Sequence, residues 1–165
     1  MKPKVYLETT IPSLLTTWPS RDLITAADQQ MTRTWWEKQR SNYDLVVSTL
    51  VLDEIKKGDP AAAAGRLAAL TECRIVTMDE AVAQLGEAIM RTRLIPARAY
   101  NDALHIAAAA RHGIDFLLTW NCRHLANASI SEHVRLACRV AGYEPPVICT
   151  PRSLLGESAY EEHVP

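Results

Sequence analysis

The chain has 165 residues, 48% of them hydrophobic and 22% charged, with a formal net charge of -1 at pH 7. That length predicts one domain with room for a real core. So balanced a charge excludes a global basic field for nucleic acid, so any such contact comes from a local patch. No window is apolar for long enough to span a membrane. The opening MKPKVYLETT has no signal-peptide stretch, which predicts a cytoplasmic protein.

Lys4 to Leu7 reads as a short strand ended by Glu8-Thr9-Thr10, with Pro12 breaking any continuation. Asp22 to Arg40 predicts a long helix whose apolar side is Leu23, Ala26, Ala27, Met31, Trp35 and Trp36. A nearly continuous apolar run from Asp44 to Ser48 predicts a strand buried on both faces. Thr49 then caps a helix from Leu50 to Lys57 that stops at Gly58. Asp59-Pro60 opens another helix through Leu70, in which Ala61 to Ala64 indicates close helix packing. Arg74 to Met78 is the third strand, and Asp79 to Arg93 the next helix.

The stretch from Tyr100 to Asn121 reads as a helix, a turn at Gly113 and a buried strand at Phe116 to Thr119. A helix around Ser131 to Val140 and a strand at Pro146 to Cys149 follow, and SAYEEHVP reads as a loose tail. Strands alternating with helices predict an α/β protein with a central, mostly parallel sheet of four to five strands covered on both faces. The expected organisation is a single domain over residues 1–150 and a C-terminal tail over 151–165.

Cys73, Cys122, Cys138 and Cys149 are scattered, which predicts small buried hydrophobes in place of a disulfide or zinc framework. Zinc on Cys122 and His124 lacks two further ligands nearby.

The chemistry lies in acids at strand ends and helix starts. Glu8 follows the first strand, and Glu54 sits early in the helix after the second. Asp102 opens the helix at Tyr100, and Asn121 lies just past the fourth strand. Asp102 and His105 share a face with Ile106 and Ala109, the side turned toward the protein. An inward Asp is costly unless something pairs with it. In a parallel sheet these positions lie on one edge, where open α/β sheets place their ligands. Converging carboxylates raise one another's pKa unless a divalent cation intervenes. Hard oxygen ligands suit Mg²⁺ or Mn²⁺, ions that activate water for attack on a phosphodiester.

The segments VYLETT, STLVLDEI, NDALHIAAA and DFLLTWN, in that order, resemble the motifs of the PIN-domain ribonucleases, including VapC-like toxins of type II toxin–antitoxin systems. The resemblance runs from about Lys4 to Cys149. It implies a three-layer α/β/α fold and a metal-dependent endoribonuclease using Mg²⁺ or Mn²⁺. It also implies an RNA substrate, an antitoxin partner and a homodimer. Glu8 matches the family's first-strand Asp, Glu54 its helix Glu, Asp102 its central Asp, and Asn121 its fourth, often acidic, position. The expected metal ligands are Glu8 and Asp102, with Glu54 reached through a bridging water. Thr9, Thr119 and His105 are supporting candidates, and Arg91, Arg93, Arg98, Arg123 and His124 are candidate RNA contacts. Glu8 is one methylene longer than the usual Asp, and Asn121 reduces four negative charges to three.

By spacing alone, other readings stand beside these. Glu54 reads as a solvated residue pairing with Lys57, Asp102 as a helix-start residue, and His105 as a hydrogen-bonded structural histidine. Trp120 reads as packing at the sheet edge or as a base-stacking platform. The arginines read equally as a solvated surface. Asp53, Asp79 and Asp115 read as a surface residue, a helix start and a strand entry. Trp35, Trp36 and Leu23 belong to core or to an interface. A catalytically weak or inactive relative that binds RNA or protein is the alternative to the nuclease. A nucleotide-cofactor enzyme or phosphatase is disfavoured, because no G-x-G-x-x-G or G-x-x-x-x-G-K-[ST] loop occurs and the first strand ends in Glu8.

Overall fold

The computed structural model describes residues 1–155. Five strands form one parallel sheet in the order β3-β2-β1-β4-β5: β1 (Lys4–Leu7), β2 (Asp44–Ser48), β3 (Arg74–Val76), β4 (Phe116–Leu118) and β5 (Val147–Cys149). Central β1 pairs Tyr6 with Val46 of β2 and with Leu117 of β4. Val5, Tyr6, Leu7, Val46, Val47, Leu117 and Leu118 are fully buried, which is why these strands read as apolar runs and not as alternating ones.

Among the described residues, seven α-helices lie between the strands: α1 (Thr10–Thr16), α2 (Leu23–Lys38), α3 (Thr49–Ile55), α4 (Pro60–Ala69), α5 (Glu80–Met90), α6 (Tyr100–Arg111) and α7 (Ala128–Val140). Helix α1 packs on α2 and α4, and α3 on α4; α5 packs on α6 and α7. Two helical layers therefore enclose the sheet, giving the expected α/β/α architecture. After β3 the chain returns to the far side of β1, so the strand order reverses between β1 and β4.

Several local expectations need correction. The first strand ends before Pro12 as expected, and helix α1, which was not anticipated, starts at Thr10, because Pro12 falls in the first turn and its missing N–H costs nothing there. Helix α2 is capped by Asp22, which accepts the Thr25 N–H at 2.8 Å, but Leu23 is 84% exposed. Its buried side is Gln29, Thr32, Thr34 and Trp35. Polar Gln29 is tolerated inside because its amide bridges the Ser20 N–H at 2.9 Å and the Trp18 carbonyl at 3.0 Å. Ser48, not Thr49, caps α3 by accepting the Val51 N–H at 3.3 Å. Of the alanines at 61–64 only Ala63 is buried. Cys73, Cys138 and Cys149 are buried as expected, whereas Cys122 is exposed.

Gly113 makes the α6–β4 turn with φ +60°, a conformation that favours glycine. Asp115 marks the entry to β4 by accepting the Lys4 N–H at 2.7 Å. Asp79 caps α5 through the Val82 N–H at 2.9 Å. Pro151–Leu154 form a 3-10 turn against α2, with Pro151 and Leu155 buried. The SAYEEHVP segment lies outside the described residues. Among the described residues no helix is long and apolar enough to cross a membrane.

Leu117 sits between β1 and β5 with no exposure. Leu117→Ala is expected to lower stability by about 2–5 kcal/mol, read as a lower urea midpoint at unchanged m-value.

Candidate functional site

The reversal of strand order between β1 and β4 makes a crevice at their carboxyl ends, the place where open α/β sheets receive ligands. Glu8 leaves β1 there and Thr119 leaves β4. Glu8 is only 5% exposed. Its Oε2 accepts three hydrogen bonds: from the Thr10 N–H at 3.1 Å, the Thr10 hydroxyl at 2.5 Å and the Thr119 hydroxyl at 2.8 Å. Thr10 Oγ1 in turn accepts the Trp120 N–H at 2.9 Å, and Thr119 Oγ1 accepts the Asn121 N–H at 2.9 Å. Both strand ends are thus tied to one carboxylate oxygen. Glu8 Oε1 carries no hydrogen bond among the described residues.

Glu54 comes from the seven-residue α3, whose end is held by Arg66 of α4. The Arg66 guanidinium donates to the Ile55 carbonyl at 2.9 and 2.8 Å and to the Lys57 carbonyl at 2.8 Å, satisfying carbonyls that a helix end leaves free. The Glu54 side chain turns away from Lys57 and collects three donors. Asn101 Nδ2–H donates to Oε1 at 2.8 Å and His105 Nε2–H to Oε2 at 3.1 Å, while the Thr9 hydroxyl also donates to Oε2. Burial works to raise this carboxyl, but the His105 hydrogen bond and electrostatic pull, with Thr9 and Asn101, outweigh it. They hold it down to about 2. Crowded acids were expected to push one another up; at Glu54 the donors reverse that sign.

His105 is 1% exposed, and its other nitrogen, Nδ1, is 2.8 Å from the Tyr6 hydroxyl. The Tyr6 hydroxyl lies 2.6 Å from Ser48 Oγ. Burial pushes the Tyr6 phenol well above its ordinary range, against a smaller opposing pull from the Ser48 bond.

Asp102 stands in the first turn of α6, and its Oδ2 accepts from His124 Nδ1 at 2.8 Å. Asn121 shapes the loop that aims His124. Its Oδ1 accepts the His124 N–H at 3.1 Å, and its carbonyl accepts the Leu125 and Ala126 N–H groups at 3.0 Å each. The fourth position therefore acts as a turn-forming amide, a role that a sequence position does not reveal.

Among the described residues, one donor atom each from Glu8, Glu54 and His105 lies within 4.8 Å of the others. The structure thus joins Glu8 to Glu54 and adds His105, while Asp102 stands outside that group on His124. Two carboxylates, one with an oxygen free of hydrogen bonds, form a donor set that fits Mg²⁺ or Mn²⁺. Thr9 and Thr119 orient the carboxylates themselves. Thr10, Asn101, Tyr6, Ser48 and Arg66 were missed; only Asn101, adjacent to Asp102, gave a positional hint.

Arg91, Arg93, Arg98 and Arg123 are all exposed. Trp120 commits its indole N–H to Thr32 Oγ1 at 2.7 Å, the packing role. Asp53 is a surface residue, 3.5 Å from Lys56. Trp35 belongs to the core.

Residues 23–128 match the PIN domain family, and the chain belongs to that family. The crystal structure of VapBC2 from Rickettsia felis, bound to a DNA fragment from its promoter, aligns with a TM-score of 0.56 at 15% identity. That alignment covers 88% of this chain and 97% of the other, a likeness of fold. VapC20 of Mycobacterium tuberculosis, a sarcin-ricin loop cleaving toxin, aligns with a TM-score of 0.49 at 18% identity, over 69% of this chain and 87% of that one. Comparison with curated protein sequences returns no match.

The depressed Glu54 carboxyl has a pH signature. Its folded value of about 2 lies below the ordinary 4.5, so its stabilisation is complete above pH 4.5 and is lost as pH falls toward 2. Chemical denaturation of wild type and Glu54→Gln should show a stability gap that is constant from pH 7 to 5 and narrows below pH 4.5.

Proposed function

We propose that this chain is a metal-dependent endoribonuclease, the toxin of a type II toxin–antitoxin pair. The observation that carries this reading is the pair of acids, Glu8 and Glu54, held within ligand distance of each other at the switch point of a PIN fold. Glu8, Glu54 and Asp102 would hold Mg²⁺ or Mn²⁺. Bound there, the ion supplies water activation and charge neutralisation for in-line attack on an RNA phosphodiester.

The chain's own residues do the positioning. Thr10 and Thr119 lock one oxygen of Glu8 and leave the other available. Thr9, Asn101 and His105 keep Glu54 charged and aimed. His124 holds one oxygen of Asp102 and leaves Oδ1 without a hydrogen bond among the described residues. The exposed Arg91, Arg93, Arg98 and Arg123 are this reading's candidate contacts to the RNA phosphates.

The reading includes an antitoxin partner, a second copy of the chain and a cytoplasmic location. Its support for a protein partner is the apolar surface near the start of α2, where Trp18, Leu23 and Ile24 are 88%, 84% and 75% exposed. A non-catalytic RNA- or protein-binding relative is the second reading, favoured by one observation: Asn121 Oδ1 is engaged in the loop through the His124 N–H.

Incubation of a mixed RNA pool with Mn²⁺ distinguishes the two. Wild type is expected to cleave, and Asp102→Asn to lose about 100-fold or more of the rate at unchanged thermal stability. Equal behaviour of the two proteins, with no Mn²⁺ binding at millimolar concentration, selects the non-catalytic reading. Asn121→Asp should tighten Mn²⁺ binding by restoring the fourth charge. In RNA binding measured against salt, each Arg→Ala at 91, 93, 98 or 123 that removes a phosphate contact should reduce the slope of log K on log salt by about 1.

A further inference from the structure

The sheet leaves one of its edges open beside a cleft. Strand β5 is last in the order β3-β2-β1-β4-β5, so it pairs on one side only. The Val147 N–H donates to the Asp115 carbonyl at 2.8 Å, and the Cys149 carbonyl accepts the Thr119 N–H at 3.0 Å. Successive residues of a strand turn their backbone groups to opposite sides, so the N–H and C=O of Ile148 face away from β4. Among the described residues those two groups have no partner. An edge strand offers such groups as a template for another chain, and Pro145 and Pro146 blunt only the start of this one.

Along β5 runs a cleft of roughly 380 Å³, within the range of clefts that receive ligands. Ile106, Leu125, Val134 and Ile148 give it apolar walls. Its single charged lining residue is Arg135 of α7, which is half-buried and makes no hydrogen bond or ion pair among the described residues. The acids beyond Arg135 are already engaged, Glu144 with Arg139 at 3.2 Å and Asp115 with the Lys4 N–H at 2.7 Å. A half-buried cation without a counter-ion favours a carboxylate, and open backbone groups favour an extended chain. Helix α7 lines the cleft on one side and the Pro151–Leu154 turn on the other, so a strand entering it comes without a helical layer of its own. That favours a single peptide segment over the sheet of a second copy. We propose that the β5 edge binds an extended acidic segment of a partner protein, which adds a strand to the sheet through Ile148 and pairs a carboxylate with Arg135. Backbone hydrogen bonds hold such a segment, and the cleft takes its alternate side chains.

This inference does not rest on the nuclease reading, because neither Glu8 nor Glu54 lines the cleft. The test titrates the full chain, labelled with nitrogen-15, with pools of short capped peptides. One pool has Glu fixed at the centre and Val, Ile or Thr elsewhere, a second has Gln in place of the Glu, and a third is the Glu pool N-methylated at alternate residues. The Glu pool is expected to bind, to shift the amide signals of β5 and to slow hydrogen exchange at the Ile148 N–H. Arg135→Gln should weaken that binding by about 10-fold at unchanged thermal stability, and the Gln pool should bind wild type as weakly. The N-methylated pool should not bind, because it lacks the backbone donors. No binding of the Glu pool at millimolar concentration overturns the proposal. Equal binding of the Glu and Gln pools overturns the pairing with Arg135, and equal binding of the N-methylated pool overturns strand addition. Slowed Ile148 exchange that appears without peptide as the protein concentration rises, with self-association in sedimentation, assigns the edge to a second copy and overturns it as well.

Discussion

Two carboxylates within ligand distance of each other, one of them 5% exposed, form an arrangement that a folded chain holds only against resistance. Each charge has lost part of its water, and each faces the other's field. The structure meets both costs with donors. The three threonines around β1 and β4, the Asn101 amide and the His105 imidazole all point hydrogens at Glu8 or Glu54. Much of the local architecture follows from this need. Helix α1 begins at Thr10, whose N–H and hydroxyl both serve Glu8, and the turn after β4 is built on Thr119 and Asn121.

The sheet makes the encounter unavoidable. All five strands run parallel, so every strand exits on the same edge, and the order reverses between β1 and β4. Glu8 follows β1, Glu54 lies in the last turn of the short α3, and Asp102 opens α6. The topology brings Glu8 and Glu54 within ligand distance of each other, while Asp102 stands outside that group on His124. One oxygen of Glu8 is closed by three donors, and the other has no hydrogen bond among the described residues.

Strand positions are readable because each parallel strand is apolar throughout, and Asp22 and Asp59, read as helix starts, prove to be the caps. The buried face of α2 was not readable. Gln29 and Thr32 are inside because distant partners, the Trp18–Ser20 backbone and Trp120, satisfy them. Helix α1 was not readable for a similar reason: Pro12 ends the strand, but whether a helix can follow depends on the proline's place in the turn, which Thr10 sets. At the site, acid identities were legible and their partners were not. Asp102 and His124 are 22 residues apart, Glu54 and His105 are 51 apart, and no local spacing encodes either pair. Asn121 looked like a diminished ligand and emerges as the residue that folds the loop carrying His124. Ser48 reads as a buried strand residue, and only the fold shows that its hydroxyl caps α3 and lies 2.6 Å from the Tyr6 hydroxyl.

The central claim is that the carboxylates Glu8, Glu54 and Asp102 hold a divalent ion at the β1–β4 switch point. The most direct measurement is anomalous scattering from crystals of the protein soaked in millimolar Mn²⁺. The predicted result is manganese density ligated by Glu8, Glu54 and Asp102, with His105 Nε2 still directed at Glu54. Manganese bonded to His105 Nε2, or no manganese at this edge of the sheet, would contradict it.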